Sequence, residues 1–281
     1  MQQTSRRQTA STPILVGVST KMYLGYRDSL AWLEQLRHEV DTRPALAAGR
    51  VVPFVIPSFP VLASAAGLLA GSPLLLGAQN CGWADGPWTG EVAPSMLAEL
   101  GVRLVEIGHA ERRRHFREDD SMVALKVRAA DDAGLAPLLC VGEHDAGQPA
   151  AAAEFVYRQF ESAVDGDWDL AGRLTVAYEP VWAIGAAEPA AAAYVSDVVR
   201  QLRGHLASAG LADVPVIYGG SAKPGLLPTL GGVSGLFLGR FAHDPANFGR
   251  VLDEALLLAG HVPPPELSPL DMSSLGHEPW A

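Results

Sequence analysis

Three residues of this chain are of the types that proton transfer at carbon requires. Lys21, His109 and Glu179 each stand just beyond a short apolar run. A carboxylate can remove a proton next to a carbonyl, an imidazole can polarise that carbonyl, and an ammonium can stabilise the enediolate that forms. Glu179 lies in Ala177-Tyr178-Glu179-Pro180-Val181-Trp182-Ala183-Ile184-Gly185. Pro180 cannot extend a sheet ladder, so the run 174–178 stops there and leaves the carboxylate at its C-terminal mouth. The apolar segment that follows could fold over it and exclude water. Each residue alone also has a plainer reading: Glu179 as a surface ion pair, Lys21 as a solvated lysine, His109 as a structural hydrogen-bonder. His109, Glu111 and His115 match no common metal-ligand spacing. Cys140, inside an apolar run, reads as core, and Arg112-Arg113-Arg114 as a solvated helical face. Glu106 precedes His109 by three residues. In a regular strand the two would face opposite sides, which makes Glu106 a partner for the helical layer.

The elements that must carry these groups alternate. Apolar runs occur at 14–18, 51–56, 74–78, 102–107, 136–141, 174–178, 214–218 and 235–238. Helical patterns at 28–40, 119–133, 150–164, 190–208 and 245–259 lie between most of them. Continuous apolar strands alternating with helices predict parallel strands covered by helices. Eight units in roughly 250 residues suit a closed (β/α)8 barrel in a single domain. An open doubly wound sheet is the competing architecture, but Gly17-Val18-Ser19-Thr20-Lys21 is not the Gly-rich dinucleotide turn expected after its first strand. The barrel is expected over 13–260, after an N-terminal tail at 1–12 and before an irregular or disordered Pro- and Ser-rich tail at 261–281. Chemistry in such barrels gathers at the C-terminal strand ends, where Lys21, His109 and Glu179 fall.

Composition narrows the partners. With 281 residues, 48% hydrophobic and 19% charged, the chain reads as a globular protein with a large core. Its net charge of -10 argues against nucleic acid. An anionic substrate would need local cations and helix N-termini. The two cysteines, Cys81 and Cys140, make no disulfide framework and suit a reducing compartment. No run reaches the length of a membrane span and residues 1–11 lack the apolar core of a signal peptide, so a cytoplasmic location is expected.

Taken together, these segments resemble the triosephosphate isomerase family, in order, from about residue 14 to 259. The stretch 177–185 is similar to that family's signature around its catalytic glutamate. Gly108-His109-Ala110-Glu111-Arg112-Arg113 resembles its histidine segment, and Lys21-Met22 its lysine segment. Gln79-Asn80-Cys81, Thr89-Gly90-Glu91, Cys140 to Glu143 and Tyr218 to Ser221 match as well. The resemblance implies that Glu179 is the base and that neutral His109 polarises the carbonyl; triosephosphate isomerase is the type case of that pairing. It further implies Lys21 as the oxyanion-stabilising cation with Glu111 as its ion-pair partner. Ser19, Gly185, Ser221, Gly239 and Arg240 would contact the substrate or its phosphate. Residues 181–190, with Trp182, Ala186 and Ala187, would form a lid latched by Tyr218 and Ser221. No metal or organic cofactor is implied. A homodimer is, through the loop 82–91, with Trp83 and Trp88 as anchors and Thr89 near the partner's active site. Asp244-Pro245 reads as an N-cap with Pro at the first helical position.

The implied activity is aldose–ketose isomerisation of a small sugar phosphate through an enediolate. For dihydroxyacetone phosphate and glyceraldehyde 3-phosphate, that would belong to glycolysis. The chain also departs from the family pattern. Ser19-Thr20 stands where the family has Asn. Ala110 replaces a serine that holds the glutamate in the open state. Ala186-Ala187-Glu188-Pro189 replaces the Thr-Gly-Lys-Thr lid tip, and Gly239-Arg240 replaces Gly-Gly. Changed pocket-shaping residues around an unchanged catalytic set suit an alternative substrate, a four-carbon ketose phosphate such as erythrulose phosphate. A non-catalytic barrel that binds a phosphorylated metabolite is a further alternative, although it would have no need of Lys21, His109 and Glu179 together.

Overall fold

In the computed structural model, which describes residues 12–186 and 188–261, eight parallel strands close on themselves in sequence order. They are β1 (Ile14–Ser19), β2 (Val51–Ile56), β3 (Leu75–Ala78), β4 (Leu104–Ile107), β5 (Ala136–Val141), β6 (Thr175–Tyr178), β7 (Val216–Gly219) and β8 (Gly235–Leu238). Around them run α1 (Tyr26–Asp41), α2 (Leu62–Leu68), α3 (Pro94–Glu99), α4 (Ala110–Phe116), α5 (Asp120–Asp132), α6 (Pro149–Val164), α7 (Trp168–Ala171), α8 (Ala192–Ser208) and α9 (Pro245–Leu258). The (β/α)8 barrel expected from the alternating pattern is therefore present. Between β7 and β8 only a short 3-10 turn, Leu227–Thr229, takes the place of a helix. Both expected tails fall almost wholly outside the described residues. No helix among the described residues is long and apolar enough to cross a membrane.

Two-residue alternation along each strand divides the apolar core in two. Phe54, Ile56, Leu104, Leu138, Cys140, Ala177, Ile217 and Phe237 fill the barrel interior. The complementary residues, among them Val16, Val18, Val105, Ile107, Val176 and Tyr178, pack against the helices. The plug depends on one missing side chain. A Cβ at Gly17 would overlap the Phe54 ring, so Phe54 crosses the interior and stacks on Phe237 with centroids 5.7 Å apart. Phe54 and Phe237 thus close the interior beneath the C-terminal rim, and a substrate at that rim sits on top of this plug.

The helical layer follows from sequence periodicity. On α1, Trp32, Leu33, Leu36 and Val40 are buried at helical spacing. Trp32 also donates its indole N–H to the Ala242 carbonyl, 3.0 Å away, which ties α1 to the segment after β8. The start of α9 is capped as the Asp-Pro pair predicts: Asp244 accepts from the Ala246 N–H at 3.1 Å, with Pro245 next. A buried ion network fixes α5. Lys126, only 1% exposed, reaches Glu118 at 2.5 Å and Asn80 at 2.9 Å, while Arg112 binds the same carboxylate. Arg112 is therefore not a solvated residue, because Glu118 folds back to meet it.

Candidate active site

Glu179 follows β6 directly, and its backbone N–H donates to Val141 of β5 at 2.8 Å. Two glycines make room for it. A Cβ at Gly142 would overlap the Glu179 carbonyl, and one at Gly219 would overlap its side chain. The carboxyl is 6% exposed, and its Oε2 has no hydrogen-bond partner within the protein. An unpartnered, desolvated carboxylate oxygen facing a cavity is what a general base requires.

His109 is placed by a break in β4. Gly108 takes a φ of +76°, conformational space that favours glycine, and His109 then caps α4. Its Nδ1 accepts the Glu111 N–H at 3.1 Å. With Nδ1 occupied as an acceptor, the ring hydrogen belongs on Nε2. That nitrogen lies 3.5 Å from Glu179 Oε2, close enough for both to touch one substrate. Arg113 secures the turn by donating to the Gly108 carbonyl at 2.9 Å.

Lys21 sits in left-handed backbone, φ +48°, which a side-chain-bearing residue adopts only when held. The restraint is visible. Ser58 Oγ and Gln79 Nε2 both donate to the Lys21 carbonyl, at 2.6 and 2.7 Å. This backbone turn directs Nζ back over the barrel to Glu111, 2.5 Å away. Burial acts to lower the ammonium's pKa, but the hydrogen bond and charge of Glu111, with Glu179 and Glu106 beyond, hold it above the ordinary value. Burial likewise works to raise Glu111, and Lys21 outweighs it to keep that carboxyl low. Lys21 is thus a fixed cation.

Glu106 corrects the expectation drawn from spacing. It does not face the helical layer. It points inward, lines the same cavity, and brings Oε1 to 4.0 Å from His109 Nε2. Strand regularity does not reach His109, because β4 ends at Ile107 and the left-handed Gly108 turns His109 back toward the cavity that Glu106 already faces. The signal for its true orientation was available: Leu104, two residues earlier, belongs to the inner plug, and the two-residue period carries that direction to Glu106. Glu106 is 4% exposed, and burial pushes its carboxyl up to about 7, with His109 pulling the other way.

The cavity, about 280 Å³, brings together Ser19, Lys21, His109, Glu111, Glu179, Gly185, Ala186, Ser221, Gly239 and Arg240 of the expected site residues, and adds Glu106 and Tyr23. At its outer side the Arg240 guanidinium lies 6.0 Å over the Tyr23 ring. The segment after Glu179 is pinned at several points. Trp182 Nε1 donates to Glu143 Oε1 at 2.9 Å, and the Tyr178 and Tyr194 hydroxyls donate to the same oxygen. Ser221 Oγ donates to the Ala186 carbonyl at 2.6 Å, and the Tyr218 hydroxyl accepts the Ala190 N–H at 3.3 Å. Ser221 therefore holds the middle of the expected lid and Tyr218 its C-terminal end; Ala187 between these contacts lies outside the described residues. Glu143, which gathers three donors, was given no role by sequence reasoning. Cys140 lies inside the barrel, its thiol pushed well above the ordinary range by burial. Thr89 does not line this cavity. It is exposed on a loop where Trp83 and Trp88 pack with centroids 4.7 Å apart.

Comparison with known proteins agrees with this geometry. A family model described as triosephosphate isomerase matches residues 14–255. An L-erythrulose-1-phosphate isomerase of Pectobacterium atrosepticum is 47% identical over 255 residues, covering 89% of this chain and 98% of its own length. A triosephosphate isomerase of a Synechococcus strain is 37% identical over 246 residues, covering 86% and 96%. The crystal structure of triosephosphate isomerase from Bartonella henselae superposes with a TM-score of 0.69 at 29% identity, covering 85% of this chain and 98% of that one.

Proposed function

The chain belongs to the triosephosphate isomerase family and is a sugar-phosphate isomerase, and we propose that its substrate is a four-carbon ketose phosphate of the erythrulose 1-phosphate kind. One observation carries the chemistry: a buried, unpartnered Glu179 oxygen and the Nε2 of His109 stand 3.5 Å apart in one cavity with Lys21. The substrate choice is supported by the 47% identical relative named for it, set against 37% for a relative named for the triose. The small Ser19 and the inward Glu106 support it further: Ser19 takes less room than the Asn of the family pattern, and Glu106 makes the inner end of the cavity more polar than an apolar lining would.

In this reading the phosphate binds at Gly185, Ser221 and Gly239, whose backbone N–H groups suit an anion, with Arg240 completing the outer side. Glu179 takes the hydrogen of C3 as a proton. The C3–H electron pair becomes the C2–C3 double bond, and the carbonyl electrons move to O2. The Nε2–H of His109 and the Lys21 ammonium stabilise that oxygen as charge develops. Glu179 then returns its proton to C2, while the O3 hydroxyl proton passes by way of His109 Nε2 to O2; the freed O3 electrons form the new C3 carbonyl and O2 is left as a hydroxyl. The product is again a ketose, numbered from its other end as erythrulose 4-phosphate. On dihydroxyacetone phosphate the same movements run between C1 and C2 and yield an aldose, the glycolytic reaction. The unchanged Lys21, His109 and Glu179 favour that second activity.

The exposed Trp88 and Thr89 suit a homodimer built through the loop 82–91, and two buried free cysteines suit a cytoplasmic setting. Measuring kcat/KM for both substrates on one preparation tests the assignment. The four-carbon value is expected to equal or exceed the three-carbon one. A preference of roughly a hundredfold for dihydroxyacetone phosphate would exceed the cost of one added carbon and return the chain to ordinary triosephosphate isomerisation.

A further inference from the structure

Two polar groups on the floor of the cavity take no part in the proton transfer just described. Glu106 and Ser19 are each 4% exposed. Neither Glu106 Oε2 nor Ser19 Oγ has a hydrogen-bond partner within the protein. Both line the cavity, and beneath them the barrel is apolar, filled by Phe54, Leu104 and Phe237. A desolvated polar atom without a partner is costly unless a ligand satisfies it. Two such atoms, one at the end of β1 and one on β4, share one end of this cavity, near enough that the Ser19 hydroxyl acts to lower the Glu106 carboxyl.

Position says what that ligand group is. Glu106 Oε1 lies 4.0 Å from His109 Nε2, which lies 3.5 Å from Glu179 Oε2. The carbon that surrenders its proton must touch Glu179, and its oxygen must lie near His109. A hydroxymethyl group on that carbon extends away from the phosphate, and Glu106 is the second carboxyl that approaches the same His109 nitrogen in this cavity. We propose that Glu106, assisted by Ser19, receives the terminal hydroxyl of the four-carbon substrate and is the residue that sets chain-length preference. The inference rests on the four-carbon reading above.

The protonation state suits the task. Burial pushes the Glu106 carboxyl up to about 7, against the pull of His109 and with the push of Glu179. As a neutral acid it can donate one hydrogen bond and accept another, as a hydroxyl does. Below about 7, while it holds its proton, it also adds no negative charge beside the enediolate. A three-carbon substrate would leave both groups unpartnered, and a site built to bond a hydroxyl discriminates against the analogue without it.

The test compares wild type with Glu106→Leu, Glu106→Gln and Ser19→Ala. For each, kcat/KM is measured on erythrulose 1-phosphate and on dihydroxyacetone phosphate, with the Kd for inorganic phosphate as a control on the far end. The four-to-three-carbon ratio is expected to fall at least about thirtyfold in Glu106→Leu and about fivefold in Ser19→Ala. Glu106→Gln, which still donates and accepts, should keep the ratio within about fivefold. If the Leu protein does not fold, the Ser19→Ala ratio carries the same comparison. Equal losses on both substrates, or ratios that do not move, overturn the role of Glu106 while leaving the substrate reading intact. A wild-type protein inactive on erythrulose 1-phosphate overturns that reading and this inference with it.

Discussion

Replacing Glu106 by Gln should make the stability of this protein markedly less dependent on pH. Burial holds the Glu106 carboxyl at about 7 in the folded chain against an ordinary 4.5. Below 4.5 the acid is protonated in both states and imposes no penalty. Between the two values the unfolded chain gives up its proton first, so stability falls as pH rises, and above about 7 the loss is complete. The difference between the two values corresponds to about 3 kcal/mol, a large part of the stability of a domain. The groups that face Glu106 are His109, Glu179 and Lys21 around the rim, with Cys140 beside it on β5. All four are retained in the variant, so their own titrations largely cancel in the comparison. Urea unfolding from about pH 5 to about pH 8.5, at fixed protein concentration, measures the effect. The Gln protein should gain on wild type as pH rises, by up to about 3 kcal/mol. Curves that run parallel within about 0.5 kcal/mol would refute a neutral, buried Glu106.

Glu179→Gln should lower kcat by several orders of magnitude while sulfate and phosphate still bind, because an amide cannot accept the proton; near-normal turnover would remove Glu179 from the mechanism. Glu143→Ala strands the fully buried Tyr178 hydroxyl and frees Trp182 and Tyr194. It should cost about 2–4 kcal/mol in urea unfolding and raise KM, whereas a loss below about 1 kcal/mol would show that this carboxylate does not anchor the lid. The affinity for sulfate, a dianion throughout, should weaken between about pH 6 and about pH 8 in wild type and less so in Glu106→Gln, since only wild type gains a cavity charge; identical pH dependence by calorimetry would contradict the titration. Light scattering at micromolar concentration should give a dimer, and a fully active monomer would exclude a partner's Thr89 from the site.

Much of the catalytic geometry was legible because it is local. Pro180 ends a strand wherever it stands, so Glu179 had to occupy a strand mouth. Asp244-Pro245 can hardly do other than start a helix. The alternation of apolar runs and helical patterns led to the barrel for the same reason. What escaped depended on contacts distant in sequence. Lys21 is pinned by Ser58 and Gln79, and no spacing announces that three separate loops meet at one carbonyl. Glu143 draws donors from β6, the lid and α8. Glu106 was misread for a different reason: the two-residue period was carried through Gly108, the glycine that ends it.

Charge explains why a buried acid is compatible with an anionic substrate here. The chain carries a net charge of -10, so a phosphate approaches against the general field. Within the cavity, Lys21 is matched by Glu111, and Arg240 at the outer side offsets Glu179. The balance is near neutral only while Glu106 holds its proton. Two unit charges roughly 8 Å apart interact by about 2 kcal/mol at an effective dielectric constant of about 20, and a dianion doubles that. An ionised Glu106 would therefore oppose both phosphate binding and the enediolate. A hydroxyl bound against Glu106 shields it further from water, which favours the neutral acid more strongly. Substrate and proton thus stabilise one another in the cavity: the acid that recognises the fourth carbon is kept neutral by the group it recognises.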